Sequence, residues 1–246
     1  MRFFTEWGRA CLDLLFPPEP PPDAPKCIVC KQIGDLLCPA CAQLVEPLPE
    51  QICARCGRPV EDGCSIWCDN PDPPLQMVRA AASYHIAPTR QLIHHLKYYQ
   101  KPELAPYLAK YLVAVFDRPC WVDIRDTITA VVPIPGDKKR EEKRGYNQAE
   151  LLASSFSNTI NLPLYVELLE KIETSESQTN LSFSERAKNV EGKYVASPSI
   201  AEHYVLLIDD VSTSGATMAA CARAALSAGA ICVYGLSIAM PLHGHD

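Results

Sequence analysis

From about residue 79 onward, short apolar runs alternate with segments whose apolar residues recur every three or four positions. Val205 to Ile208 is wholly apolar, the pattern of a strand buried on both faces. Further strands are predicted at Arg79 to Tyr84, Ile128 to Ile134, Tyr165 to Leu169 and Ile231 to Ala239. Helices are predicted at Arg90 to Tyr98, Glu103 to Phe116, Asn147 to Asn158 and Gly215 to Ser227, with Pro88 and Pro102 marking the starts of the first two. Strands alternating with helices predict an α/β fold with a parallel-rich sheet flanked by helices.

The region before residue 79 has a different texture. Phe3, Phe4, Trp7, Cys11, Leu14 and Leu15 fall at helical spacing and predict an amphipathic docking helix. Glu6, Arg9 and Asp13 break the continuous apolar stretch a signal peptide needs. Pro17 to Pro25 reads as an extended spacer, because proline fixes φ and removes donors. The expected organisation is a helix and linker over 1–26, a small cysteine-rich module over 27–78, and the α/β domain over 79–246. No later stretch reaches the roughly 18 apolar residues of a membrane span, so a cytoplasmic protein with no integral span is expected.

Composition adds limits. Hydrophobic residues are 48% and charged residues 21% of the 246, the range of an ordinary globular chain. The net charge of −6 argues against a surface that coats nucleic acid along its whole length. The acidity is concentrated in the first 78 residues, with eleven acidic against six basic side chains, and the rest is near neutral.

Eight of the twelve cysteines form four close pairs: Cys27 and Cys30, Cys38 and Cys41, Cys53 and Cys56, Cys64 and Cys68. A C-x2-C turn points two sulfurs at one point, so two pairs close one tetrahedral Zn²⁺ site. One or two ions are expected. Sequential pairing is the simplest arrangement, and spacing alone leaves a cross-braced exchange open. Few apolar residues separate the pairs, so metal binding is expected to supply folding energy in a structural role. All-cysteine sites leave no open position for catalytic water. Cys11, Cys120, Cys221 and Cys232 read as small buried hydrophobes. His94 and His95 lack a spaced ligand partner, and His243 and His245 sit in a polar tail.

The richest stretch is Val205 to Met218, VLLIDDVSTSGATM. An apolar strand delivers Asp209 and Asp210 at its carboxyl end, where ligands collect in open α/β sheets. The turn Ser212, Thr213, Ser214, Gly215, Ala216 and Thr217 then opens a helix, offering hydroxyls, backbone N–H groups and a helix dipole to one phosphate. The adjacent carboxylates can accept bonds from two ribose hydroxyls, directly or through the water shell of Mg²⁺. This segment resembles the ribose-5-phosphate-binding fingerprint of type I phosphoribosyltransferases.

Three further segments resemble the ComF/GntX-like competence family: YHIAPTRQLIHHLKY, VVPIPGDKKREEKRGYNQAELLA, and the pattern Gln178, Leu181, Arg186 and Asn189. The resemblance implies a site for phosphoribosyl diphosphate and Mg²⁺, and work with single-stranded DNA and competence machinery proteins during DNA uptake. On the pyrophosphate side it points to the rigid turn Pro133, Ile134 and Pro135, then to Lys138, Arg140, Arg144, Tyr146 and Asn147. The alternative is an active phosphoribosyltransferase that transfers ribose 5-phosphate to a base or amine. Lys97 can reach an anion or stand as a surface lysine; Arg186 and Asn189 either contact ligand or brace the hood of the site.

Overall fold

The computed structural model describes residues 24–49, 51–65, 67–172 and 192–242. The expected N-terminal helix, most of the proline spacer, the pattern at Gln178 to Asn189 and the two tail histidines lie outside these residues.

Four parallel strands make the central sheet: β1 (Met77–Ser83), β2 (Ala130–Pro133), β5 (Tyr204–Val211) and β6 (Cys232–Met240), in the order β1-β6-β5-β2. Alternation along each strand fills both faces. On β5, Leu206 and Ile208 point to one core while Val205 and Leu207 point to the other. That is why the run reads as continuously apolar rather than alternating.

The first core is closed by α2 (Ala87–Tyr98), α3 (Ala105–Phe116) and α5 (Gln148–Ile160), with Trp121 fully buried between Phe116 and Tyr234. The second is closed by α6 (Ala216–Ser227), whose Ala219, Ala222 and Ala225 let it lie close to the sheet. A Cβ at Gly235 of β6 would collide with Met218 of α6, so this glycine permits the approach. No helix among the described residues is long and apolar enough to cross a membrane.

The structure moves several expected boundaries. Tyr165 to Leu169 is not a strand: Leu164 forms a single parallel bridge with Val131, and the pairing strand is β3 (Leu169–Lys171), antiparallel to β4 (Tyr194–Ala196). Pro133 sets this break: the Tyr165 N–H donates to the Val131 carbonyl at 2.9 Å, and the next donor on that edge of β2 would be residue 133, a proline with no N–H to continue the ladder. The charge run becomes a short helix, α4 (Lys138–Arg144), capped by Asp137 and ended by Gly145 at φ +89°. Cys120 is exposed, not buried, because Trp121 beside it takes the core position; Cys221 is buried as expected and Cys232 is half-buried.

The cysteine pairs do not form an isolated module. Cys27, Ile28, Leu37 and Cys41 belong to the first core; Cys56, Trp67 and Cys68 belong to the second. A four-residue helix, α1 (Pro39–Ala42), carries Cys41, and Tyr111 of α3 donates to the Ala42 carbonyl at 3.0 Å. The second knuckle rides on β1. The Val78 N–H donates to the Arg55 carbonyl at 2.7 Å, and buried Arg79 donates to the Ala54 carbonyl at 2.9 Å. A Cβ at Gly57, φ +69°, would overlap the Val78 carbonyl, so only glycine lets the two backbones meet.

Candidate functional site

The cysteines gather as two quartets, Cys27, Cys30, Cys38 and Cys41, and Cys53, Cys56, Cys64 and Cys68, each with its sulfurs within 4.8 Å of one another. This is the sequential pairing. Four thiolates at about 2.3 Å from one Zn²⁺ stand about 3.8 Å apart. Cys30 and Cys38 sulfurs are 3.7 Å apart, and Cys53 is 3.6 Å from both Cys64 and Cys68. Both quartets therefore fit Zn²⁺. Burial works to raise Cys27 and Cys53, but backbone N–H donors at Cys30 and Cys56 hold them down at about 6 and about 7. Metal binding would displace the thiol protons that remain in each quartet. Burial and neighbouring thiols push Cys41 up to about 12.

Asp209 and Asp210 stand at the carboxyl end of β5, flanked by β6 on one side and by the end of β2 on the other. Asp210 is 2% exposed, and its carboxylate is ion-paired to Lys97 of α2 at 2.7 Å. The sequence left Lys97 undecided; the fold brings it across the strand end. Burial acts to lower the Lys97 amine, yet the Asp210 carboxylate beside it keeps it raised. Half-buried Asp209 accepts from the Asp210 N–H at 2.8 Å. Burial and the neighbouring negative charge of Asp210 lift its carboxyl well above the ordinary range, only partly offset by Lys97.

The turn after the acids is less open than its sequence suggests. Ser212, Ser214, Gly215 and Ala216 are buried, Thr217 is half-buried, and Thr213 is exposed. The Ser212 N–H donates to the Ala239 carbonyl at 2.9 Å, and the Ser214 hydroxyl accepts from the Ala216 N–H at 3.3 Å. Gly215 takes the left-handed conformation at φ +73° as N-cap of α6. What covers the turn is the second cysteine knuckle: Arg58 donates to the Thr213 carbonyl at 3.2 Å, and Trp67 and Ser65 pack against Gly215.

The remaining candidates are spread along the β2 exit. The Ile134 N–H donates to the Ile208 carbonyl at 2.9 Å, which extends the pairing past Pro133 and holds the Pro133, Ile134 and Pro135 turn beside Asp209. Asn147 caps α5 and donates to the Ile134 carbonyl at 3.1 Å, tying that turn to the helix. Tyr146 uses its hydroxyl on the Leu96 carbonyl at 2.6 Å. Lys138 is paired with Glu170 at 2.8 Å. Arg140 and Arg144 instead line a cavity of about 450 Å³ with Lys97, Tyr98, Gln100 and Lys143. Arg144 also bonds Gln148 and lies over the Tyr98 ring.

Three side chains near the site carry no sequence signal: Tyr194, Arg58 and Trp67. Half-buried Tyr194 of β4 shares a hydrogen bond with Thr217, and burial followed by nearby negative charge, Asp209 included, raises its phenol. Arg58 and Trp67 meet the turn across some 150 residues of chain, a distance local patterns cannot bridge.

A family model described as a double zinc ribbon domain matches residues 11–70. The chain is 27% identical over 203 residues to the DNA utilization protein YhgH of Salmonella typhimurium, covering 80% of this chain and 87% of that protein. It is 27% identical over 206 residues to Competence protein F of Haemophilus influenzae, covering 78% and 87%. With Competence protein ComFC of Bacillus subtilis the identity is 26% over 199 residues, covering 78% and 79%. The chain thus resembles the competence proteins over most of its length. Among solved structures, the glutamine phosphoribosylpyrophosphate amidotransferase of B. subtilis matches at 17% identity and TM-score 0.39, over 58% of this chain and 30% of that one. An allosteric regulatory enzyme of purine biosynthesis matches at 17% and TM-score 0.38, over 58% and 29%. The chain spans under a third of the length of these two structures.

Proposed function

We propose that this chain binds phosphoribosyl diphosphate with Mg²⁺ at the carboxyl edge of the parallel sheet. One observation carries the reading: two adjacent carboxylates at the end of β5, one neutralised by a lysine that also lines a cationic cavity, lie directly before a turn that opens α6. The acids accept from the ribose diol. Thr213, Thr217 and the N-terminus of α6 take the terminal phosphate. Lys97, Arg140, Lys143 and Arg144 face the diphosphate, with Mg²⁺ supplying further charge neutralisation when bound. Lys97 then exchanges the Asp210 carboxylate, wholly or in part, for a phosphate oxygen.

The test is calorimetric titration of purified protein with phosphoribosyl diphosphate and Mg²⁺. Saturable binding lost in Asp209→Ala and Asp210→Ala supports the reading; absent binding by the wild type overturns it. Pyrophosphate release in the presence of bases or amines separates an active transferase from a binding protein.

A second reading, contact with single-stranded DNA within a cytoplasmic competence machinery, is favoured by the same cavity. Tyr98, 63% exposed at the end of α2, lines it beside four cations. Exposed rings next to a basic track are what unpaired bases stack on. Strand binding that weakens with salt and competes with the diphosphate ligand is expected. No affinity at low ionic strength removes this reading.

A further inference from the structure

The second cysteine quartet is built into the turn that precedes α6. Arg58 lies two residues beyond Cys56, is 2% exposed, and donates a guanidinium N–H to the Thr213 carbonyl at 3.2 Å. Trp67, adjacent to Cys68 and buried, stands where a Gly215 Cβ would be, its indole nitrogen 2.5 Å from that position, with the Ser65 hydroxyl behind it at 3.6 Å. Both side chains sit on backbone fixed by the cysteines. The Cys53 N–H donates to the Arg58 carbonyl at 2.7 Å, and the Cys68 N–H donates to the Ser65 carbonyl at 2.8 Å. The first quartet has a different neighbourhood, with contacts to α2 and α3 through Ile28, Leu37 and the Ala42 carbonyl.

We propose that Arg58 and Trp67 are positioning residues for the turn Ser212 to Thr217, and that Zn²⁺ in the second quartet, not the first, sets the turn's shape and hence its affinity for a phosphate. The reason is mechanical. A turn of small residues has little side-chain bulk to hold it, so its N–H groups converge only if something outside fixes the backbone. A metal-locked knuckle pressing an indole on Gly215 and a guanidinium on Thr213 supplies that constraint. The quartet also fits the metal geometry, so its loss frees both side chains at once.

This rests on the turn being the phosphate seat, and the experiment keeps the two ideas apart. Amide hydrogen exchange of Ser212 and Ala216, both hydrogen-bonded, is measured in the full chain alongside titration with phosphoribosyl diphosphate and Mg²⁺. The variants are Arg58→Met and Trp67→Leu, then Cys64→Ser and Cys30→Ser, which remove one exposed ligand from the second and first quartets. Arg58→Met, Trp67→Leu and Cys64→Ser are expected to speed exchange at the turn and weaken binding, each by about tenfold or more, the effect of losing one buried charged hydrogen bond. Cys30→Ser is expected to leave both near wild type, and Arg58→Lys to recover part of the loss.

Unchanged exchange in Arg58→Met overturns the proposal, as does faster exchange with unaltered affinity. Weaker binding with unchanged exchange also overturns it, since Arg58 would then act on the ligand and not on the turn. If the wild type binds no diphosphate, the exchange data alone decide whether the quartet shapes the turn. Arg58→Met leaves all eight cysteines in place, so the answer does not depend on whether a cysteine variant folds.

Discussion

Replacing Lys97 by methionine keeps most of the side-chain volume and strips the cation from a carboxylate that is 2% exposed. Breaking a buried pair from one side costs about 3–5 kcal/mol, while an exposed pair is worth under about 1. The Lys97 side chain is 23% exposed and its partner 3%, which places this pair near the lower end of the buried range, about 3 kcal/mol. Lys97 also partly offsets the raised carboxyl of Asp209, so its removal favours the protonated form of Asp209 further, and a proton held there removes one negative charge from beside Asp210.

The expected outcome of urea denaturation is therefore a loss of about 3 kcal/mol for Lys97→Met at pH 7 and a smaller loss at pH 5, where Asp209 is more fully protonated, each against wild type at the same pH. The double variant Lys97→Met with Asp210→Asn should regain about 2 kcal/mol over Lys97→Met alone, because the unpaired charge is gone. A cost below about 1 kcal/mol that does not change with pH, with no coupling in the double variant, refutes the reasoning.

Gly215→Ala forces a Cβ against the Trp67 ring at φ +73° and should cost about 2–4 kcal/mol in chemical denaturation, whereas Ala at Gly34, where no neighbour lies within 4 Å, should cost less. Asp209 holds its proton more tightly folded than unfolded, so stability should fall as pH rises from about 4 through the raised value; Asp209→Asn should flatten that slope in pH-dependent melting curves. The same sign applies to binding: the proton must leave before Asp209 can accept two hydroxyl bonds, so affinity for the diphosphate should climb with pH until Asp209 is ionised. Metal released by acid or thiol modification and read with a colorimetric indicator should reach two Zn²⁺ per chain, and a plateau at one would contradict two separate quartets.

Much of this protein is set locally and is therefore legible along the chain. Four cysteine pairs at knuckle spacing announce metal because a two-residue turn fixes where two sulfurs point, wherever the turn sits. Val205 to Ile208 announces a strand covered on both sides because each neighbouring side chain must find an apolar face. That two acids stand directly before a small-residue turn opening a helix is legible because strand end, acids and helix start are consecutive. Other features need the whole chain closed. The Tyr165 strand fails because the donor it would need on β2 is Pro133, far off in sequence, and Cys120 surfaces because Trp121 competes for the same core space. Lys97 finds Asp210 only when α2 crosses the carboxyl edge of β5, and Arg58 and Trp67 find the turn only when the second quartet docks on β1. Periodicity and spacing report what a residue does to its neighbours in sequence; which distant charge, ring or carbonyl it meets is decided by packing, where partners come from any point along the chain.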